Sequence, residues 1–125
     1  MNVTQTVPLL LVSQLETSLP FYRDGLGFQV DREWSHENRL AWCWLTQGTA
    51  SLMLQQATAE DPPAASWGRG MTLYFLCDDA SEAYRQFQER GIDASPPTET
   101  FYHMNQVFVS DPDGYRLCFE NPTEP

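Results

Sequence analysis

The chain has 125 residues, 42% of them hydrophobic, and carries seventeen acidic against seven basic side chains for a formal charge of −10. That length is near the commonest domain size, so one compact unit with a respectable core is expected and a separate catalytic domain has no room. The charge repels any phosphate backbone, which argues against nucleic acid and anionic membrane surfaces as partners, and otherwise suits the surface of a soluble protein.

The amino terminus MNVTQT has no basic segment, and the apolar run Leu9–Val12 is far too short for a signal core or a membrane span, so the chain reads as soluble and unprocessed. The stretch TVPLLLVS predicts a first strand, and a helix follows over QLETSLPFYRDGLG. Ser13 stands at capping-box spacing from Glu16, while Leu15, Leu19 and Tyr22 recur on one face. Pro20 removes a backbone donor, so this helix is either kinked or begins nearer Ser18 with Pro20 in its first turn; Gly25 or Gly27 ends it. FQVDREW then reads as an alternating strand, with RLAWCWLTQG and TASLMLQQ as two more about a turn. The segment ATAEDPPAASWGRG, with Pro62, Pro63, Gly68 and Gly70, predicts an exposed linker. Trp67 is its odd residue, expected to pack over a cleft or against a second subunit because tryptophan seldom stays in water. GMTLYFLC predicts a strand and DDASEAYRQFQERG a helix, with Asp79 and Glu82 at its acidic start, Ala80, Ala83, Tyr84 and Phe87 on its core stripe, and Gly91 at its close. HMNQVFVSDPDG and YRLCFE close the chain as strands.

The order of elements in the first half thus recurs in the second, at a period too long for a solenoid unit. The expected fold class is α+β, a single domain over residues 1–125 built from two tandem strand-helix-strand-strand-strand modules. Module one covers about residues 1–56, the linker about 57–69 and module two about 70–125. A cleft between halves related by a pseudo-twofold axis is a natural ligand site. Cys43, Cys77 and Cys118 are odd in number, lie in apolar stretches and show no ligand spacing, so neither a disulfide framework nor a zinc site is indicated and a reduced cytoplasm is expected.

The stretches VSQLETSLPFYRDGLGF, FLCDDASEAYRQFQERG and DPDGYRLCFENP, in that order and at these spacings, resemble the vicinal-oxygen-chelate superfamily of glyoxalases, extradiol dioxygenases and bleomycin resistance proteins. The resemblance covers essentially the whole chain and implies paired βαβββ modules whose mixed sheets curl round a ligand cup. In metal-dependent members, His, Gln or Glu ligands stand on the first and last strands of the modules; alignment puts Val7, Met53, Thr72 and Cys118 at those four positions. None is a usual ligand for a hard divalent metal, so neither metal nor cofactor is expected. His36, in the polar turn SHEN, reads as a solvated loop residue. His103, at the entrance of a strand, is a candidate for lining the cup, but lacks a partner carboxylate. Arg116, Cys118 and Glu120 share one side of their strand, where Arg116 and Glu120 are candidates for a pair at the cup rim.

With Val7 and Thr72 facing inward, strand parity turns Leu9, Leu11, Tyr74 and Leu76 toward the cup and leaves Leu10, Val12, Leu73 and Phe75 for the helix-covered face. Trp42 and Trp44 share a face opposite to that of Ala41, Cys43 and Leu45. The ligand-binding set expected from these arguments is Trp42, Trp44, Met53, Trp67, Tyr74, Tyr102, His103 and Cys118. Such an aromatic pocket stacks flat heterocycles and attracts cations, and acidic surroundings suit a flat, cationic compound. The resemblance therefore leans to the bleomycin-resistance branch: a metal-free homodimer that sequesters a small molecule by mass action, with no catalytic residues. The alternative is a metal-dependent lyase, isomerase or dioxygenase of the same superfamily, its metal held by His103, Glu120 and a residue of a second chain.

Overall fold

In the computed structural model, which describes residues 1–124, the first strand β1 (Leu9–Val12) pairs in parallel with a strand forty residues later, Ala50–Gln56, with Leu9 opposite Met53 and Val12 opposite Gln56. Parallel neighbours cannot be joined by a tight turn, so the chain must cross the sheet between them. It does so through a helix, α1 (Leu15–Pro20), that delivers it to the far edge. There β2 (Gln29–His36) begins an antiparallel return through β3 (Arg39–Gln47) to β4, the strand Ala50–Gln56, giving the sheet order β1-β4-β3-β2. The second half repeats this order. β5 (Thr72–Leu76) leads to α2 (Ala80–Glu89), then β6 (Thr98–Glu99), β7 (Met104–Ser110) and β8 (Arg116–Pro122), with β5 parallel to β8 and the order β5-β8-β7-β6. The fold is α+β, two tandem βαβββ modules, and the chain divides into compact units at Ala65 and Ser66. Ala64–Ser66 forms one 3-10 turn in the stretch expected to hold no element. Among the described residues no helix is long and apolar enough to cross a membrane.

In each unit the helix covers one sheet face. In the first, Leu10, Val12, Cys43, Leu45, Leu52 and Leu54 are buried beneath Leu15, Leu19 and Tyr22. In the second, Val107, Val109, Leu117 and Phe119 are buried under α2, whose Phe87 meets Phe119 edge-on at 5.0 Å while Phe75 stacks on it at 5.1 Å. Full burial of such side chains is worth about 1.5–3 kcal/mol each, so these faces carry the folding energy. Ala80 and Phe87 are the buried part of the expected α2 stripe; Ala83 and Tyr84 are half-buried.

The first helix departs from expectation at its start. Gln14, not Ser13, is its N-cap, and the Gln14 side chain makes no capping hydrogen bond. Pro20 does not open the helix but ends its α-helical part: lacking an N–H, it cannot continue the i to i−4 ladder, and Phe21–Gly25 widen into a π-helical turn in which Leu26 N–H reaches Phe21 C=O at 3.0 Å. The cap comes from across the sheet. Leu15 N–H donates to Gln56 Oε1 at 2.9 Å, and Gln56 Nε2 donates to Ser13 C=O at 2.8 Å. In α2, Asp79 caps Ser81 and Glu82, yet the first helical N–H, that of Ala80, again goes to a last-strand amide, Asn121 Oδ1 at 2.7 Å. Leu15 and Ala80 stand 65 positions apart, as do Gln56 and Asn121, so the device is duplicated along with the strands.

Removing the amide leaves a half-buried N–H unsatisfied, a loss of about 1–2 kcal/mol. Urea unfolding of Asn121→Ala and Gln56→Ala is expected to show such losses, larger for Gln56 because the N-cap side chain of α1 makes no capping bond whereas Asp79 caps α2. A loss below a few tenths of a kcal/mol in both variants would contradict this role.

Candidate functional site

The face of the first sheet turned away from α1 is organised by cross-strand register. On one row Trp34 stands opposite Trp42, Trp42 opposite Gln55, and Gln55 opposite Leu11. On the next row Arg32 stands opposite Trp44, Trp44 opposite Met53, and Met53 opposite Leu9. Side chains directly opposite in a ladder lie within contact range, so these positions form a continuous strip. β2 is irregular on either side of Arg32 to Trp34, with register shifts between Val30 and Arg32 and between Trp34 and Ser35. Its turn into β3 is tight, with Glu37 and Asn38 both left-handed at φ 52° and 63°. These features put His36 on the same face as Trp34, and the rings stack at 5.7 Å with 24° between their planes.

A cavity of about 650 Å³ opens on this strip, lined by Trp34, His36, Ala41, Trp42, Gln55, Gln56 and Thr58. No carboxylate or guanidinium is among them. The Gln56 amide is held by its bonds to Leu15, Ser13 and Ala57. The half-buried Gln55 amide has no hydrogen-bond partner among the described residues. Trp44 lies outside the cavity with the Arg32 guanidinium 4.8 Å above its ring, a cation already in place.

Of the residues expected from sequence, Trp42, Trp44 and Met53 share this strip. The other five belong to the second unit. Tyr74 and Phe108 flank Cys118 on the face away from α2, where Tyr74 is half exposed and Cys118 has no accessible surface, so a ligand cannot touch its thiol directly. Tyr102 Oη accepts from Gln106 Nε2 at 3.2 Å, and the same amide donates to the buried Glu120 Oε1 at 2.9 Å. Glu120 is thus held by Gln106, and Arg116 lies over the Phe108 ring at 4.3 Å, in place of the candidate Arg116–Glu120 pair. His103, expected to lack a partner carboxylate, is exposed at the β6–β7 turn, left-handed at φ 65°, and has two beside it, Glu124 at 3.5 Å and Glu99 at 4.0 Å. Trp67 is half-buried just ahead of Gly68, where a Cβ would come within 2.6 Å of the Tyr115 ring. Sequence reasoning missed Trp34, His36 and Gln55. The alternation of FQVDREW held the signal for Trp34, but the register that sets it beside Trp42 passes through the irregular part of β2.

The comparisons with known proteins agree with this architecture. The profile of the Glyoxalase/Bleomycin resistance protein/Dioxygenase superfamily matches residues 3–119, and the chain belongs to that superfamily. Among solved structures, TnmS3, an antibiotic binding protein from Streptomyces sp. CB03234, is similar at a TM-score of 0.78 and 25% identity over 98% of both chains. A glyoxalase/bleomycin resistance protein from the same organism matches at 0.70 and 25% identity over 90% of this chain and 96% of its own. A bleomycin resistance determinant encoded on the transposon Tn5 shares the fold at 0.74 and 24% identity, over 98% of this chain and 100% of its own. No curated protein sequence matches.

The residues present do not fit the metal that catalytic members of the superfamily carry. Val7 has no donor atom, Met53 offers only a thioether and Thr72 a neutral hydroxyl. Burial, with the nearby Glu120 charge adding to it, pushes the Cys118 thiol up to about 11; a thiol binds metal as the thiolate. Among the described residues no group of three or more His, Cys, Asp or Glu could hold a metal ion, so His103 and Glu120 belong to none.

Burial likewise pushes Cys43 up to about 11, and raises Cys77. An unfolded thiol ionises near 9, so the stabilisation from keeping these groups neutral is present below pH 9 and is withdrawn as pH rises from there toward 11. At pH 8 a thiol with this shift is thiolate in about one molecule in a thousand. Iodoacetamide at pH 8 is therefore expected to leave Cys43 and Cys118 unlabelled in the folded protein and to label both in urea, as read by peptide mass mapping. Rapid labelling of folded Cys118 would contradict the buried, neutral assignment.

Proposed function

We propose that this protein is a metal-free binding protein that sequesters a flat small molecule, an antibiotic of aromatic character being the natural candidate, and makes or breaks no bond in it. The observation that carries this reading is the cavity walled by Trp34, His36 and Trp42 on a sheet face free of the folding core. Its volume suits a drug-sized ligand, and its rings supply stacking surface without requiring the fold to rearrange. The likeness to an antibiotic binding protein at 25% identity supports the same reading. Protection by such a protein follows mass action: a held compound is withdrawn from its target, and the protein must be at least stoichiometric with it.

A second part of the proposal is a homodimer. Tyr74, Leu76 and Phe101 are 51%, 73% and 92% exposed in the second unit, large apolar side chains that another copy would remove from water. Sedimentation at micromolar concentration is expected to give twice the chain mass; a mass of one chain would remove this part.

Bleomycin and neutral planar heterocycles, titrated while tryptophan fluorescence is followed, test the binding reading. Replacing Trp42 by Ala in a variant that still unfolds cooperatively is expected to weaken binding by about 1–3 kcal/mol, the loss of a stacked, desolvated ring. EDTA is expected to leave binding unchanged and elemental analysis to find no stoichiometric divalent metal. Binding abolished by EDTA would replace this reading with a metal-dependent one.

A further inference from the structure

We propose that Gln55 selects the ligand of the Trp34–Trp42 cavity, and that the ring held there is uncharged and presents a hydrogen-bond donor beside an acceptor. This rests on reading that cavity as the ligand site and names what the site takes.

The duplication supplies the comparison. Met53 and Cys118 occupy equivalent positions, which makes Gln55 the counterpart of Glu120 and Trp42 the counterpart of Gln106. In the second unit that pair is satisfied internally, Gln106 Nε2 donating to Glu120 Oε1 at 2.9 Å. In the first unit the same two places hold Gln55 and Trp42, and an indole face offers an amide no comparable partner. Gln55 is left half-buried and without a partner among the described residues, while Gln56 beside it is fully engaged. Water satisfies such an amide in the free protein. Once a flat ligand covers the cavity, the amide must be paired by the ligand or lose its hydrogen bonds, and that asymmetry is what makes a buried polar group selective. A carboxamide carries its acceptor oxygen and donor nitrogen side by side in one plane, which matches the edge of a lactam, a primary amide or an aminopyrimidine.

The cavity wall itself does not favour a cation. The net charge of −10 draws cations from a distance, but at physiological salt its reach is about one Debye length, ~8 Å. At contact range the cavity lining holds no carboxylate. The guanidiniums flanking the strip are each set against a carboxylate, Arg32 at 3.6 Å from Asp31 and Arg39 at 3.8 Å from Glu16, and the Glu37 carboxylate stands 3.6 Å from His36 Nε2 at the edge of the lining. A cationic ring would give up its hydration for aromatic faces and a lining that holds no carboxylate of its own. An uncharged one loses little hydration and gains the same stacking.

Three planar probes of similar size separate the terms: naphthalene, with no polar edge; 4-quinazolinone, with a lactam edge; and N-methylquinolinium, with a fixed positive charge. Each is titrated into the full chain by tryptophan quenching, with thermal unfolding of every variant as the folding control. The parent is expected to bind 4-quinazolinone about tenfold more tightly than either other probe. Gln55→Leu is expected to lose that advantage and to bind naphthalene within about twofold of the parent. Gln55→Glu keeps the size and removes the donor; it is expected to weaken 4-quinazolinone and strengthen N-methylquinolinium. If Gln55→Leu binds 4-quinazolinone as tightly as the parent, or the parent prefers N-methylquinolinium, this inference fails while the cavity remains the site. If no probe binds, or Trp42→Ala changes none of the affinities, the cavity itself is not the site and both readings fall.

Discussion

Each half of the molecule depends on holding two parallel strands side by side, β1 against β4 and β5 against β8. Parallel pairing forces a crossover, the crossover is a helix, and the helix occupies one face of the sheet. Its first peptide N–H would be left without a partner at the point where the chain leaves the first strand. Gln56 and Asn121 supply that partner from the end of the last strand. A single side chain thereby ties strand, helix and return strand together, and does so at equivalent places in both units. The other face of each sheet receives none of these duties.

That division explains why the two units share a backbone plan and differ in chemistry. On the helix side both are buried aliphatic and aromatic core. On the open side, equivalent positions read Trp42 and Gln106, Trp44 and Phe108, Gln55 and Glu120, Met53 and Cys118. One arrangement recurs in spite of these changes: a guanidinium over the ring of the middle strand, Arg32 over Trp44 and Arg116 over Phe108. In a chain with few cations, placing two on exposed aromatic faces covers apolar surface that water would otherwise meet, and each contact contributes about 0.5–1 kcal/mol.

The sequence made the strand faces legible and the long-range pairings not. Alternation in LAWCWL separates Cys43 and Leu45 from Trp42 and Trp44, because a strand's period is fixed by covalent geometry. The acidic start of α2 is equally local, since Asp79 caps residues two and three positions on. Gln56 and Asn121 act on residues 41 positions away, and nothing near either marks it as a cap. The capping-box spacing of Ser13 and Glu16 pointed to a helix start at Ser13, whereas the N-cap is Gln14 and the first helical N–H is met by Gln56. His36 was hidden in the same way: SHEN reads as a polar turn, whereas β2 runs through His36 and the turn is only Glu37 and Asn38. β6 is two residues long, too short to leave a periodic trace.

The separation of core from open face also bears on how the proposed ligand site can change. Replacing Leu45 or Leu54 would open a cavity in the core and cost about 2–5 kcal/mol. Trp34 is 57% exposed, and Trp42 and Gln55 are half-buried on the side that the helix does not touch, so substitutions there remove little folding energy. On the proposed reading, ligand preference can therefore shift along the row Trp34, Trp42, Gln55 without a matching loss of stability. Gln56 differs: it lines the same cavity and caps α1, so a substitution there would reach the fold as well as the cavity.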